Sequence, residues 1–139
     1  MLHRSPTAAL CVAAGLVLAA CDASPPEPEK PPITKLGDTP WRLAMLDGEA
    51  VGSVEFVLNI SGGFISGTGP CNTISADYQG QAPDFVIGTL ITTRAVCDRL
   101  GFERKVVAAL ANATRAMIAD ERLTITGLDS PEMTFVPAG

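Results

Sequence analysis

The sequence predicts a small α+β domain, mainly β, built from about eight short strands and one packed helix. Two observations carry this prediction. Short runs of alternating apolar and polar residues recur along the chain, each bounded by glycine, aspartate or proline turn signals. A single later stretch changes to helical spacing.

The elements follow in order from Thr39, where the folded part is expected to begin. Trp41, Leu43 and Met45 alternate with Arg42 and Ala44, and Asp47-Gly48 supplies a turn. Val54, Phe56, Leu58 and Ile60 alternate with Ser53, Glu55, Val57 and Asn59, the pattern of a half-buried strand. Ser61-Gly62-Gly63 turns the chain into Phe64–Gly67, and Ile74, Ala76 and Tyr78 alternate in the next strand. Phe85-Val86-Ile87 reads as a short buried strand closed by Gly88. Met117-Ile118, Leu123/Ile125 and Met133/Phe135 make three more, separated by Asp120-Glu121 and by Asp129-Ser130-Pro131. Between them Phe102, Val106, Val107 and Leu110 fall on one helical face, with Asp98 as the expected cap and Glu103, Arg104 and Lys105 off that face. A helix this short is marginal alone in water, so it is expected to pack on the sheet.

The N-terminus reads as an address. Residues 1–20 carry Arg4 and then an apolar run from Ala8 to Ala20, the form of a secretory signal. The run ends in Leu18-Ala19-Ala20-Cys21, which resembles a bacterial lipobox. That likeness implies cleavage before Cys21 and acylation of its thiol. Two or more acyl chains anchor stably, at ~0.8 kcal/mol per buried CH₂. Asp22 resembles an inner-membrane retention signal and tilts the expected site towards the inner membrane of the bacterial envelope, facing the periplasm. Residues 21–38 hold the lipidated cysteine and a tether rich in proline (Pro25, Pro26, Pro28, Pro31, Pro32). An extended polyproline spacer is expected, reaching on the order of 50 Å at ~3.1 Å per residue.

Composition excludes several function classes. The 139 residues hold 10 Lys and Arg against 15 Asp and Glu, a formal charge of -5, which offers no footprint for nucleic acid. The only histidine, His3, precedes the signal's apolar run, so a mature chain has no imidazole. That removes Ser-His and Cys-His pairs and the commonest metal ligand.

With Cys21 acylated, Cys71 and Cys97 remain in an oxidising compartment, and a structural disulfide between them is the economical reading. Closing such a loop stabilises by roughly 3–4 kcal/mol in the chain-entropy model. Two thiols are too few for a metal site without histidine, and they lack the Cys-x-x-Cys spacing of a redox catalyst.

Trp41-Arg42-Leu43, Ser66-Gly67-Thr68-Gly69-Pro70-Cys71-Asn72, Gly88, Thr92-Thr93-Arg94-Ala95-Val96-Cys97 and Glu103 ahead of Leu110 together resemble the META domain (HslJ-like) family. The likeness spans residues 39–139. Pro70 stands where the family usually has glycine, and Ala76 where glycine is common. The resemblance implies a small, partly closed antiparallel β-barrel with one helix, similar to a cracked barrel described for secretin pilotins. It also implies envelope localisation and links to stress or antibiotic tolerance, and it implies no reaction. Asn72 has the best claim to a role beyond scaffold, since its amide can bond backbone across a turn.

The expected function is a lipid-anchored, non-catalytic binding or accessory module, with no cofactor and no metal, whose partner is an envelope protein or an apolar ligand. Two alternatives stand beside it. One is a pilotin-like chaperone holding an apolar segment of an envelope assembly. The other is a hydrolase relying on carboxylates among Asp77, Asp84, Asp98 and Glu103, although no spacing singles out a pair. Arg94 is a candidate anion contact, more often a solvated charge.

Overall fold

A computed structural model describes residues 33–139. The signal segment, Cys21 and the tether up to residue 32 lie outside the described residues.

The strands are β1 (Trp41–Leu46), β2 (Glu49–Ala50), β3 (Val57–Ser61), β4 (Phe64–Thr68), β5 (Thr73–Gln79), β6 (Val86–Ile87), β7 (Ile91–Thr92), β8 (Ala113–Ala119), β9 (Arg122–Gly127) and β10 (Met133–Pro137), with one helix, α1 (Leu100–Ala111), between β7 and β8. All pairings are antiparallel, in the order β6-β5-β4-β3-β1-β10-β9-β8. The two ends of that path meet. Asp84 bridges to Arg115 of β8, Phe85 N donates to Thr114 O at 3.2 Å, and Ala116 N donates to Pro83 O at 3.0 Å. The sheet thus curls into a nearly closed barrel, as the resemblance implies, and closure leaves few free edges. The short β2 and β7 attach to β1 and β5 outside the closed path; neither was legible as a strand.

Inward positions alternate as the sequence predicts. Leu58 and Ile60, Ile65, Ile74 and Ala76, Leu123 and Ile125, Met133 and Phe135 all face a single core with Trp41, Leu43, Phe56 and Phe85. Burying an aromatic or aliphatic side chain of this kind contributes ~1.5–3 kcal/mol. The alternation departs from the expectation in β1 and before β3. Met45 was expected inside, but a bulge between Leu43 and Met45 shifts the register against β10, so Leu46 opposite Met133 packs on the core instead. Val54 precedes β3 and is only half-buried, so that strand is shorter than the pattern implies.

The folded part also begins earlier than Thr39. Ile33 and Leu36 are buried in the core, and Trp41 Nε1 donates to Leu36 O at 2.7 Å. Asp38 Oδ2 accepts from Thr34 N and Lys35 N at 3.1 and 2.9 Å, and these backbone hydrogen bonds hold its carboxyl below the usual carboxylate range. Proline content masked this segment, because its two apolar anchors are isolated rather than periodic.

Three hairpins turn through residue pairs with positive φ: Asp47-Gly48 (54° and 79°), Gly62-Gly63 (60° and 83°) and Asp120-Glu121 (49° and 57°). Two-residue loops of this kind match the twist of their strands. Glu121 is the costly member, since a residue with a Cβ in the left-handed region is disfavoured by roughly 1–2 kcal/mol. Glu121→Gly is therefore expected to stabilise the domain by about 1 kcal/mol, net of glycine's added chain entropy. That raises the melting temperature by roughly 4–8 °C in a thermal scan.

Candidate functional site

The most polar part of the interior lies where α1 meets the β4–β5 turn. Among the described residues, Asn72 and Glu103 are the buried polar or charged side chains, at 6% and 3% exposure. Helical spacing of the apolar residues places Glu103 off the buried face with Arg104 and Lys105. The structure corrects this: Glu103, Val106, Ala109 and Leu110 form the buried face, while Phe102 and Val107 are half-buried at its margins. A face drawn from apolar residues alone excludes a carboxylate, and so missed it.

The Glu103 carboxylate is compensated on both oxygens. Oε2 accepts from Cys71 N and Asn72 N, each at 2.8 Å, and Oε1 accepts from Asn72 Nδ2 at 2.6 Å. Hydrogen bonds to a charged acceptor are the stronger kind, which is what removal of a carboxylate from water requires. Asn72 is itself fully used. Its Nδ2 also donates to Ala95 O at 3.2 Å, while Oδ1 accepts from Ala95 N at 2.7 Å and Thr93 Oγ1 at 2.8 Å. Two donors and two acceptor positions exhaust a primary amide. Thr93 Oγ1 in turn accepts from Thr73 N at 3.1 Å.

Local sequence explains the geometry. Gly69 leaves room for the carboxylate, because a Cβ there would lie 2.5 Å from Glu103 Oε2 and 3.1 Å from Phe56 Cε2. Pro70 has no amide to give, and the two amides that follow it are those that reach Glu103. The departure at Pro70 therefore leaves this turn intact. Gly88 allows β6 to leave β5: its N donates to Asp77 O at 2.8 Å, and a Cβ there would strike the Asp77 carboxylate.

Cys71 and Cys97 are joined by a disulfide, with Cα atoms 5.7 Å apart. It pins the chain at the entry to α1, and this explains a second correction. Asp98 does not cap the helix. The residue before the first turn is Arg99, with no side-chain cap, and Leu100 N donates to Cys97 O at 3.1 Å. The backbone at the disulfide closes the entry turn, and Asp98 is left exposed.

Beside this network lies an open cleft of about 340 Å³. Asn72 and Glu103 form its floor, residues 92–96 one wall, and Leu100, Arg104 and Val107 of α1 the other. Arg94 is exposed on the first wall. Asp77, Asp84 and Asp98 are all exposed and do not line the cleft. Among the described residues no group of three or more His, Cys, Asp or Glu is placed to hold a metal ion, and no helix is long and apolar enough to cross a membrane. The carboxylate on the floor is engaged by three N–H donors of the β4–β5 turn.

Glu103→Ala is expected to cost about 3–5 kcal/mol, because it strands three buried N–H donors. Glu103→Gln is expected to cost about 1–3 kcal/mol, because either orientation of the new amide turns a donor towards a donor. Urea unfolding of the two variants against the parent measures both.

The comparisons with known proteins agree with the fold. A protein from Burkholderia xenovorans, solved by NMR, superposes with a TM-score of 0.61 at 21% identity, over 83% of this chain and 99% of that one. A second NMR structure gives 0.60 at 18% identity, over 74% and 92%. The crystal structure of a DUF4847 family protein from Bacteroides vulgatus gives 0.58 at 13% identity, over 73% and 93%. At these identities the likeness is one of fold. No curated protein matches the sequence. The META domain model matches residues 34–139, the span that includes Leu36, the Cys71–Asn72 turn, Thr93, Cys97 and Glu103, and the chain belongs to the META domain family.

Proposed function

We propose that this chain is a lipid-anchored envelope protein, facing the periplasm, whose META domain is a non-catalytic binding or accessory module with a part in stress or antibiotic tolerance. One observation carries the non-catalytic part of this reading: the carboxylate under the cleft is spent on three structural N–H donors and has no partner poised for proton transfer among the described residues. General acid or base chemistry needs a group free to change its protonation within reach of a substrate. Here the remaining candidates, Asp77, Asp84 and Asp98, are solvated and apart from the cleft.

The disulfide supports an oxidising compartment, and Leu18-Ala19-Ala20-Cys21 supports the anchor. The interior is filled by Trp41, Phe56, Phe85 and Phe135, all fully buried, which favours a surface-binding module over a pilotin-like holder of an apolar segment.

The anchor is tested by mass spectrometry of the native N-terminus. Cys21 is expected as residue one carrying acyl chains, and Cys21→Ser is expected to move the protein into the soluble fraction. A different terminus, or unchanged fractionation, overturns it. The non-catalytic reading is tested separately: Asp77→Asn, Asp84→Asn and Asp98→Asn are each expected to leave the envelope phenotype of a deletion strain fully complemented. A variant that folds normally and behaves as the deletion puts a carboxylate hydrolase first.

A further inference from the structure

The cleft over Asn72 and Glu103 has two walls of matching chemistry. On one, residues 93–97 form a strap fixed at three points: Thr93 Oγ1 on Asn72 Oδ1, Ala95 N and O on the Asn72 amide, and Cys97 on Cys71. The residues between those points, Arg94 and Val96, project from the strap; both are exposed, Val96 at 84%. On the other, Leu100, Arg104 and Val107 fall at helical i, i+4, i+7 spacing on the face of α1 that borders the cleft. Each wall therefore offers one guanidinium and apolar surface beside it.

Neither arginine forms an ion pair among the described residues, and the carboxylate that lines the cleft, Glu103, is compensated by backbone and amide N–H groups rather than by them. In a chain of net charge -5, a cleft lined by two arginines and one buried carboxylate is a local reversal of sign. The polar floor has little left to give, since Asn72 is saturated. Recognition there falls to the walls: the planar forks of the arginines match a carboxylate, and Val96, Leu100 and Val107 match an apolar body. The strap's fixed backbone lowers the ordering cost of binding on that wall.

We propose that this cleft binds a small organic carboxylate with an apolar body, its anionic end held between Arg94 and Arg104 and its body lying between Val96 and the Leu100–Val107 face. The proposal rests on the binding-module reading and names the ligand class for it. About 340 Å³ is at the small end of ligand pockets and limits the occupant to roughly benzoate size or somewhat larger.

Benzoate, titrated to millimolar concentration into the ¹⁵N-labelled full chain carrying Cys21→Ser, is the test. Saturable amide shifts are expected at residues 92–97 and 100–107, weakening as salt is raised. Benzyl alcohol, of the same shape without the charge, is expected to give none, and inorganic phosphate to bind at least tenfold more weakly. Arg94→Gln and Arg104→Gln, both at exposed positions, are each expected to weaken benzoate at least tenfold with an unchanged melting temperature. Absence of saturable shifts overturns the proposal, as do shifts gathered at the separate hollow beside Leu36, Ser61 and Tyr78. Equal binding of benzyl alcohol, equal binding of phosphate, or indifference to both arginine substitutions also overturns it. Because the acyl chain is removed throughout, failure here is distinct from failure of the anchor, and the carboxylate variants test catalysis independently of both.

Discussion

The corner of the barrel that carries the cleft depends on one constraint, the need to compensate a carboxylate taken out of water. Glu103 is brought to the interior by the same helical turn that buries Val106 and Leu110, and an uncompensated charge there would cost several kcal/mol. The β4–β5 turn meets that need with two consecutive backbone amides and the Asn72 side chain. Orienting Asn72 in this way commits its remaining donor and both acceptor positions to the strap at Thr93 and Ala95. The strap runs into Cys97 and from there into α1, which carries Glu103. Helix, turn and strap thus specify one another in a closed circuit.

The disulfide and the hydrogen-bonded network act at this corner on different states of the chain. Cross-linking residues 26 apart restricts the unfolded ensemble, worth roughly 3–4 kcal/mol in the chain-entropy model. It does little to choose among native geometries, since two cysteines within reach permit many arrangements of the intervening loop. The network contributes less net free energy per bond, because water competes for each partner. It does choose a geometry, since a saturated amide and a three-donor carboxylate are satisfied in few arrangements. Stability and specificity at this site have separate sources, and the cleft depends on the second.

How much was legible in the sequence follows from what periodicity can report. Leu58/Ile60, Ile74/Ala76 and Met133/Phe135 alternate with their exposed neighbours, so their strands and inward faces were readable. The bulge at Leu43/Met45 changes phase in the middle of an alternation, and a two-residue strand such as β7 has no period at all. The leading segment joins the core through two isolated residues, Ile33 and Leu36, and a carbonyl. No pattern marks those. The site was half visible: the cysteine pair followed from compartment and count, and Asn72 from its capacity to bond backbone. Its pairing with Glu103 was hidden because a carboxylate on a helix is ordinarily assigned to solvent. Among the residues that carry the family likeness, Asn72, Thr93 and Glu103 are joined by the network, and Cys97 is tied to it through the disulfide.

The position of the cleft follows from where strand pairing changes hands. Along one edge β5 pairs first with β7, at Ile74 and Ser75, and then with β6, at Tyr78 and Gln79. Only the segment leading into β6 continues around the barrel, through the Asp84–Arg115 bridge to β8. Among the described residues β7 pairs with β5 alone; past Thr93, whose N donates to Thr73 O at 3.1 Å, the chain leaving it is held by the Asn72 side chain. A ladder would have filled the space beyond β7 with backbone. Side-chain anchoring instead leaves a gap between the strap and α1, open to solvent and bordered by the exposed Arg94, Val96 and Arg104. The barrel interior itself is filled, with Trp41, Phe56, Phe85 and Phe135 fully buried. A domain of this size has few places to put a ligand, and the point where its sheet runs out of partners is one of them.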